Sequence, residues 1–403
     1  MRMPNFKRKM TAAIVSVVLA LPCMAEAAKA LPRYSVKTIG DIVQLHDNKT
    51  DSTVSVLIGT SNAYEFVIHG KNVISMNTPS TTALRNSPGL NGIPFLAPFA
   101  IRLDEMDFYA NGKKYSFDAG IGNIRPPIPT HGLLTNTHDW KLVTAKADAN
   151  SAYLVNKLDF YRNPDWMKQF PFAQTYTMTM RLKDGTLEVN LKIDNLSNQP
   201  LPVSIGYHPY FALPETDRNH WSLDIGADTH WVGAGSAALP TGEKEPSDTF
   251  FGGDHHNVPL NRLTDKRFDD VFSDLDRDAQ GRASFIIKGD TTSIKVTAGP
   301  KMKAFYLYSE MLGAPVRTGP PAAVGGVAPA RPQIAPVAYD GPVVPLTAPN
   351  DVPRTTRGFV ALEPLSGITD DMNMVQKGQY NELQYVAPGA SWSDSIWITP
   401  SGY

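Results

Sequence analysis

A histidine enclosed by aromatic residues is the first feature of the chain that could do chemistry. His208 lies in residues 205–211, between Tyr207 and Tyr210, and a proline follows it directly. Residues 187–193 alternate apolar and polar side chains, which predicts a β-strand upstream of this segment. A histidine at the end of a strand, beside aromatic rings, suits a site that stacks a sugar ring and moves a proton. Taken alone, a histidine in such a place is more often a structural residue at the edge of a core.

Glu363 is a natural partner for such a histidine. Residues 360–362 predict a short apolar strand, and Pro364 and Gly367 predict a turn directly after the glutamate. This places the carboxylate at the end of a sheet. An imidazole, with an unperturbed pKa of about 6.5, and a carboxylate can together donate one proton and accept another near neutral pH. By itself, a Leu-Glu-Pro sequence is more typical of a solvated strand edge.

The sequence Gly-Tyr-His-Pro-Tyr-Phe at residues 206–211 strongly resembles the signature of the aldose 1-epimerases, or mutarotases. The strand that ends in Glu363-Pro364 is similar to the motif that carries the catalytic base of that family near the C-terminus. Interconversion of two anomers requires an acid on the ring oxygen and a base on the C1 hydroxyl, without a metal, a redox cofactor or a covalent intermediate. The resemblance implies His208 as general acid, Glu363 as general base, a free monosaccharide as substrate and no cofactor.

The resemblance extends over most of the remaining chain and implies residues that orient the sugar. Residues 92–103 resemble an N-terminal block of the family that contains a substrate-contacting arginine, here Arg102. Ile101 stands where the family usually has asparagine, which removes one hydrogen-bonding group from the expected site. The pair His131-Gly132 resembles a His-Gly motif whose histidine binds the sugar near its ring oxygen.

The resemblance also implies an acidic contact to the sugar within residues 267–272, Arg-Phe-Asp-Asp-Val-Phe. The flanking aromatic residues favour Asp269 as the residue that binds sugar hydroxyls, and Asp270 stays a competitor. Tyr207 is expected to contact the substrate as well. The candidates for a stacking face are Tyr207, Tyr210 and Phe211.

Strand signals dominate the chain and predict an all-β fold. Asp184-Gly185 predicts a tight hairpin between two strands, and few stretches keep a helical period. We therefore expect a large, mostly antiparallel β-sandwich. The resemblance implies the galactose mutarotase-like supersandwich, with residues 31–403 as one domain. Short runs of β-branched or aromatic residues closed by turn residues occur at 54–58, 139–143, 176–182 and 283–287.

The first thirty residues are typical of a secretory signal peptide. A basic start is followed by an apolar stretch at 11–22, too short to span a membrane, and then by small residues. We expect cleavage after Ala27 or Ala30 and export, in a bacterium to the periplasm. The only cysteine, Cys23, would be removed with the signal. The mature chain would then have no cysteine nucleophile and no cysteine-bound metal.

Residues 315–353 are unusually rich in proline, alanine and glycine. Such backbone cannot pair as a central strand, and we expect a surface insertion within the domain. The formal net charge of −1 argues against nucleic acid or an anionic membrane as a partner. No segment after the signal is long and apolar enough to predict a membrane span.

Two clusters of polar residues superficially resemble metal sites, but neither predicts one. Asp274, Asp276 and Asp278 have the spacing that opens an EF-hand loop, yet the later positions lack the required glycine and glutamate. His255 and His256 are neighbours and, on a strand, would point to opposite faces, a poor geometry for one ion. No metal is therefore expected.

Two other functions stay open on the same fold. One is a non-catalytic carbohydrate-binding domain, which needs the orienting residues but not the acid–base pair. The other is an enzyme that acts on exported polysaccharide, as a lyase or a hydrolase. In a glycosidase-like arrangement, Asp269 would have to be the second carboxylate beside Glu363.

Overall fold

The computed structural model describes residue 1 and residues 32–314, 337–347 and 354–403. The expected signal peptide and residues 315–336 and 348–353 of the expected insertion lie outside the described residues. The first strands are β1 (Tyr34–Ile39), β2 (Ile42–Asp47), β3 (Ser52–Leu57), β4 (Asn62–Ile68), β5 (Lys71–Asn72), β6 (Phe95–Leu96), β7 (Asp107–Ala110), β8 (Lys113–Ser116), β9 (Lys141–Ala147), β10 (Ala152–Leu158), β11 (Gln174–Lys183), β12 (Thr186–Asn195) and β13 (Leu201–Val203). The later strands are β14 (Gly206–Tyr207), β15 (Tyr210–Phe211), β16 (Ser222–Ile225), β17 (Ala227–Ala234), β18 (Leu239–Pro246), β19 (Val258–Pro259), β20 (Phe268–Leu275), β21 (Ala283–Lys288), β22 (Ser293–Ala298), β23 (Ala304–Ser309), β24 (Val360–Leu365), β25 (Gln384–Val386) and β26 (Ser391–Ser401).

Helices are few and short in the described parts of the chain. None of them is long and apolar enough to cross a membrane. The α-helices are α1 (Thr81–Asn86), α2 (Pro164–Gln169), α3 (Ser247–Phe251), α4 (Arg354–Arg357) and α5 (Asp371–Gln376), and 3₁₀ turns occur at Phe160–Arg162, Arg218–His220 and Leu260–Arg262.

The described residues form three larger sheets, all antiparallel. One has five strands in the order β1-β2-β3-β4-β5, and one has nine in the order β19-β16-β21-β22-β26-β12-β11-β10-β9. The third has eight strands, in the order β18-β17-β20-β23-β24-β14-β6, with β15 also paired to β24. Two small ribbons, β7-β8 and β13-β25, complete the pairing. The prediction of a large antiparallel β-sandwich is confirmed.

The main hydrophobic core collects buried side chains from all three larger sheets. Phe66 of β4, Leu191 of β12 and Leu362 of β24 belong to it and are fully buried. The nine- and eight-stranded sheets meet directly where the ring of Phe285 stacks on that of Phe305, with centroids 4.1 Å apart. The alternation along residues 187–193 is the reason that one face of β12 packs into this core.

The turn chemistry of the sequence sets the strand register at two hairpins. Asp184 and Gly185 join β11 to β12 with φ of 50° and 70°, and Lys183 pairs with Thr186 across the turn. The Asn-Gly pair at 111–112 connects β7 and β8 in the same way, with φ of 53° and 70°. Aspartate, asparagine and glycine tolerate these left-handed conformations best.

The described part of the proline-rich segment, residues 337–347, packs against α1. The side chain of Val344 is buried in the main core, and its carbonyl accepts a hydrogen bond from Thr81 Oγ1 at 2.7 Å. The guanidinium of Arg85 lies 3.8 Å from the ring centroid of Tyr339. This part of the expected insertion therefore belongs to the packed structure.

Candidate active site

The eight-stranded sheet has one face in the main core and the other on a polar cleft. On β23, Phe305 and Leu307 lie in the core, whereas Tyr306 and Tyr308 line the cleft. Glu363 of β24 pairs in register with Tyr306 and lines the cleft beside it. The two-residue period of a strand thus turns these three side chains away from the main core and toward the site.

The same alternation separates the two neighbouring aspartates of β20. Asp269 pairs in register with Tyr308 and lines the cleft. Asp270 lies on the opposite face, where its Oδ1 is 3.1 Å from Nε2 of His230. Its second oxygen accepts a hydrogen bond from the backbone N–H of Asp269 at 2.8 Å. Of the two candidates, Asp269 is therefore the one that can touch a ligand in the cleft.

His208 and Glu363 meet at the floor of the cleft. His208 Nε2 lies 3.2 Å from Glu363 Oε1, with the side chains 5% and 0% exposed. The two atoms are close but not aligned as a hydrogen bond, and neither oxygen of Glu363 has a hydrogen-bond partner among the described residues. The ring of Tyr210 stacks on the imidazole, with centroids 4.6 Å apart and planes 18° apart. Because its two oxygens have no such partner, the buried carboxyl group of Glu363 can accept a hydrogen bond from a hydroxyl of a bound ligand.

Burial shifts the pKa values of this pair in opposite directions. It lowers the pKa of His208 well below 6.5, and the positive charges of His131 and Arg354 lower it further. It raises the pKa of Glu363 well above 4.5, and the negative charge of Asp269 raises it further. Both shifts favour the uncharged forms, in which the shared proton resides on Glu363 rather than on the imidazole.

Arg102 and Asp269 form a hydrogen-bonded network on the wall of the cleft. Arg102 Nη2 donates to both oxygens of Asp269, at 3.0 and 3.1 Å, and Nη1 donates to the Tyr306 hydroxyl at 2.7 Å. That hydroxyl in turn donates to Asp269 Oδ1 at 2.8 Å. Arg267 donates to Asp269 Oδ2 at 2.5 Å and to Glu310 at 3.0 Å. The carboxylate of Asp269 is therefore held in one orientation.

His131 reaches the cleft through an unusual backbone turn. His131 and Gly132 both have positive φ, of 58° and 63°, and the N–H of His131 donates to the Ile101 carbonyl at 2.8 Å. The His131 ring meets that of His208 edge-on, with centroids 5.2 Å apart. A Cβ on Gly132 would lie only 2.2 Å from the backbone oxygen of Ala97. Glycine is thus required beside the histidine by both conformation and space.

Ile101 has a left-handed backbone in the wall of the cleft. Its φ is 56°, which β-branched residues rarely adopt, whereas asparagine tolerates this region. The side chain is 1% exposed and lines the cleft beside Arg102. The asparagine that the resemblance leads one to expect here would fit the backbone, and isoleucine instead makes this part of the wall apolar.

Substituting alanine for Gly132 is expected to destabilise the fold by at least about 3 kcal/mol, because backbone atoms of Ala97 would have to move. The matched control is Gly112→Ala, which has a similar φ of 70° but no atom within 4 Å of the new Cβ. The control is expected to lose about 1 kcal/mol from backbone strain alone. Urea unfolding of both variants gives the two free energies, and equal losses would show that the crowding at Ala97 is unimportant.

The expectation that Tyr207 contacts the substrate disagrees with its position. Its ring packs in the main core, 5.6 Å from that of Phe95, and it does not line the cleft. Phe211 is also in the main core. Tyr210 lines the cleft and supplies the stacked ring, because successive strand residues face opposite sides.

Three arginines that line the cleft, Arg125, Arg267 and Arg354, do not follow from the sequence reasoning. Arg354 is 5% exposed, and its guanidinium lies 3.9 Å from the ring centroid of Tyr210. It donates to Ser75, and no described carboxylate forms an ion pair with it. It directly follows the proline-rich stretch, where no pattern predicts a site. Arg267 lies within the acidic motif itself, so its proximity to Asp269 was a usable signal.

The cleft extends well beyond the acid–base pair. Its volume is about 970 Å³, at the upper end of the range for ligand pockets. Five predicted residues line it, Arg102, His131, His208, Asp269 and Glu363. Amide side chains line it as well, contributed by Asn77, Asn86, Asn91, Asn123, Asn136 and Asn163. A β-sandwich with a buried histidine–carboxylate pair in such a cleft defines a protein suited to proton transfer on a polar ligand.

The aldose 1-epimerase family model matches residues 46–324. This is more than half of the chain, and the chain therefore belongs to the aldose 1-epimerase family. The match includes Arg102, His131, His208 and Asp269 and ends before Glu363.

Solved structures show the same fold at low sequence identity. A galactose mutarotase-like protein from Clostridium acetobutylicum is 17% identical, with a TM-score of 0.69, over 92% of this chain and 98% of that chain. Galactose 1-epimerase from Lactobacillus acidophilus is 13% identical, with a TM-score of 0.62, over 92% and 98%. An aldose epimerase homologue from C. elegans is 15% identical, with a TM-score of 0.60, over 92% and 99%. These similarities establish the galactose mutarotase-like sandwich.

Proposed function

We propose that this protein is an aldose 1-epimerase that interconverts the α and β anomers of a free aldose. The observation that supports it most is the pair at the floor of the cleft, where His208 Nε2 is 3.2 Å from Glu363 Oε1. Both groups are buried, and the carboxylate has unused acceptor capacity. One acid and one base within reach of the same ligand are the parts that anomer exchange needs.

The proposed reaction starts with one proton transfer within the pair. When the sugar binds, the proton on Glu363 moves to His208 Nε2, which gives a carboxylate and an imidazolium. Glu363 then removes the proton from the C1 hydroxyl while His208 protonates the ring oxygen. The electron pair of the C1–O5 bond goes to O5, and C1 becomes an aldehyde carbon. After rotation about C1–C2, His208 takes the proton back from O5, O5 attacks the other face of C1, and Glu363 protonates O1.

The orienting residues act on the rest of the sugar. Asp269 and Arg102 are expected to bind ring hydroxyls, because their network already presents fixed acceptors and donors to the cleft. His131, edge-on to His208, is expected to contact the sugar near its ring oxygen. Tyr210 stacks on the imidazole and limits its rotation. We assign no contact to Tyr207.

Anomer exchange in freshly dissolved aldoses tests this proposal. Polarimetry or NMR across a panel of hexoses and pentoses should show a rate above the spontaneous one for at least one sugar. Tight sugar binding by calorimetry without any rate increase would instead favour a carbohydrate-binding domain. Release of new reducing ends from oligosaccharides would favour an enzyme acting on polysaccharide.

The kcat/KM for mutarotation is expected to follow a bell-shaped pH profile with a broad maximum. Activity requires one proton on the pair, so it falls in acid when both groups are protonated and in base when both are deprotonated. Burial lowers the pKa of His208 below 6.5, which moves the acid limb below that pH. Burial raises the pKa of Glu363 above 4.5, which moves the alkaline limb well above that pH. Rates measured from about pH 4 to 9, with buffer catalysis subtracted, give the profile. A single transition near 6.5 would contradict the assignment.

We also propose export of the protein by its N-terminal segment. The support is the sequence pattern alone, a basic start followed by an apolar stretch and small residues. The intact mass of the protein from the fractionated host should match cleavage after Ala27 or Ala30. A cell-bound chain with its N-terminus intact would count against export.

A further inference from the structure

A cluster of histidine and aspartate side chains lies outside the cleft, where the turn after α3 meets the ends of three strands. His255, His256 and Asp276 each offer one ligand atom, and these atoms lie within 4.8 Å of one another. None of the three lines the cleft. The acid–base chemistry proposed above does not use them.

The turn makes this arrangement possible, and it corrects the expectation that the two histidines diverge. They do not lie on a strand but in a turn closed by the Asn257 N–H bonded to the Asp254 carbonyl at 3.1 Å. Their rings lie side by side, with centroids 4.2 Å apart. The Ile225 N–H donates to the His255 carbonyl at 2.9 Å and holds the turn against β16, while the Asp276 N–H donates to the Gly226 carbonyl at 3.0 Å and joins the end of β20 to the end of β16.

Each histidine is oriented by a carboxylate on its far nitrogen. His255 Nδ1 lies 2.6 Å from Asp248 Oδ1, and His256 Nδ1 lies 3.0 Å from Asp224 Oδ1. An ionised carboxylate only accepts, so each Nδ1 donates to it, and in the neutral imidazole the lone pair is then on Nε2. Lys288 binds the other oxygen of Asp224 at 2.9 Å and fixes that carboxylate. This carboxylate–histidine arrangement is the one that orients metal-binding imidazoles in proteins.

The two free nitrogens face other carboxylates. His255 is 9% exposed, and its Nε2 is buried without a hydrogen-bond partner among the described residues. This nitrogen lies 3.8 Å from Asp228 Oδ1, and His256 Nε2 lies 3.6 Å from Asp276 Oδ2. Acceptors that face one another across a few ångströms need a shared cation or shared protons.

We propose that His255 Nε2, His256 Nε2 and an oxygen of Asp276 bind a divalent transition-metal ion of the zinc class, with Asp228 or water as fourth ligand. Two imidazoles and carboxylates suit Zn²⁺, whereas Ca²⁺ and Mg²⁺ prefer all-oxygen sites. Tetrahedral bonds of about 2.0 to 2.2 Å would bring the ligand atoms to about 3.3 Å from one another. Small side-chain rotations of the half-exposed His256 and Asp276 supply that contraction.

The ion would connect the turn after α3 to the end of β20, and through Asp228 to the start of β17. Binding to the folded chain alone would stabilise it, and the effect would grow with metal concentration. The predicted role of the ion is thus to stabilise the folded chain, separately from mutarotation. It leaves the acid–base pair free of metal.

Titration of untagged protein with Zn²⁺ tests the site. Calorimetry should give one equivalent per chain, and the melting temperature should rise by about 3 to 6 °C at a hundredfold excess over the dissociation constant. His255→Gln and Asp276→Asn should each abolish or greatly weaken binding. Asp248→Asn, at the residue whose Oδ1 contacts Nδ1 of His255 and accepts from its backbone N–H, should weaken it by about 10- to 100-fold. The control is His220→Gln, an exposed histidine that also pairs with an aspartate and should leave binding unchanged.

Three results would overturn the metal site. One is Zn²⁺ affinity weaker than about 1 mM in the parent chain. Another is unchanged affinity in the His255→Gln/His256→Gln double variant, provided that its circular dichroism spectrum matches the parent. The third is tighter binding of Ca²⁺ than of Zn²⁺, which would indicate an oxygen site elsewhere. Metal affinity and melting temperature are measured without a sugar, so the test of the metal site does not depend on the proposed mutarotase activity. Mutarotation rates measured in the same variants show separately whether that activity is affected.

Discussion

Glu363→Gln is expected to lower kcat for mutarotation by about 10²- to 10⁴-fold, the usual contribution of a positioned general base. Glutamine keeps the shape of glutamate but cannot take the C1 proton. The fold should survive, because Glu363 is fully buried and makes no hydrogen bond among the described residues. Burial raises the pKa of Glu363 well above 4.5, so the folded chain must keep a proton there that the unfolded chain releases at neutral pH, and a neutral amide removes this cost. The melting temperature should therefore be equal to that of the parent or higher.

The control for this variant is Glu382→Gln, a partly exposed glutamate that pairs with Lys303. It carries the same chemical change away from the cleft and should keep full activity. Rates come from NMR exchange between anomers, with sugar binding measured separately by calorimetry. Full activity in Glu363→Gln would remove this residue from the mechanism, whereas lost activity with lost sugar binding would make it a binding residue.

His208→Gln is expected to lower kcat by a similar factor of about 10² to 10⁴, because the amide cannot donate an acidic proton to the ring oxygen. The side-chain amide can still occupy the place of Nε2, so the packing changes little. Loss of the ring stack on Tyr210 should reduce stability by about 0.5 to 1.5 kcal/mol. The remaining activity should lose the acid limb of the pH profile, since no imidazole is left to titrate.

The exposed His220 provides the matched control, as His220→Gln should keep the parent rate and pH profile. In the double variant His208→Gln/Glu363→Gln, the losses should not multiply, because the two groups act as one unit. Multiplicative losses would show that they act independently. A fully active His208→Gln variant would eliminate the assignment of the general acid.

Local sequence patterns predict much of the fold. The apolar alternation of β12 and the turn residues at 184–185 act over a few neighbours, so period and turn chemistry suffice to predict them. The proline-rich segment was expected at the surface, but Val344 within it is buried in the main core. The burial of Val344 depends on contact with α1, which is distant in the sequence, so no local pattern predicts it.

The reacting pair was easier to predict than the residues around it. His208 and Glu363 each lie in a distinctive short motif, and the structure brings them together. The choice between Asp269 and Asp270 required the face of β20, which is defined only by its neighbours in the sheet. Tyr207 was misplaced because β14 is two residues long and has no periodicity of its own to reveal its buried side.

Sequence patterns do not predict the positions of side chains that depend on tertiary contacts. Arg354 enters the cleft from a segment without a motif and reaches Tyr210 across a large separation in the chain. On a strand, the neighbours His255 and His256 would point to opposite faces, but they lie in a turn that places their rings side by side. In both cases the backbone path between elements, rather than the residue types, decides where the side chain lies.

The alternation on β23 has a consequence for redesign. Phe305 and Leu307 hold the sandwich together, while Tyr306 and Tyr308, on the same strand, form part of the cleft wall. Changes at 306 and 308 leave the buried ring stack between Phe285 and Phe305 in place. A directed-evolution library confined to positions 306 and 308 of this strand would vary the cleft wall while leaving that ring stack unchanged. The odd positions would serve as an unvaried frame.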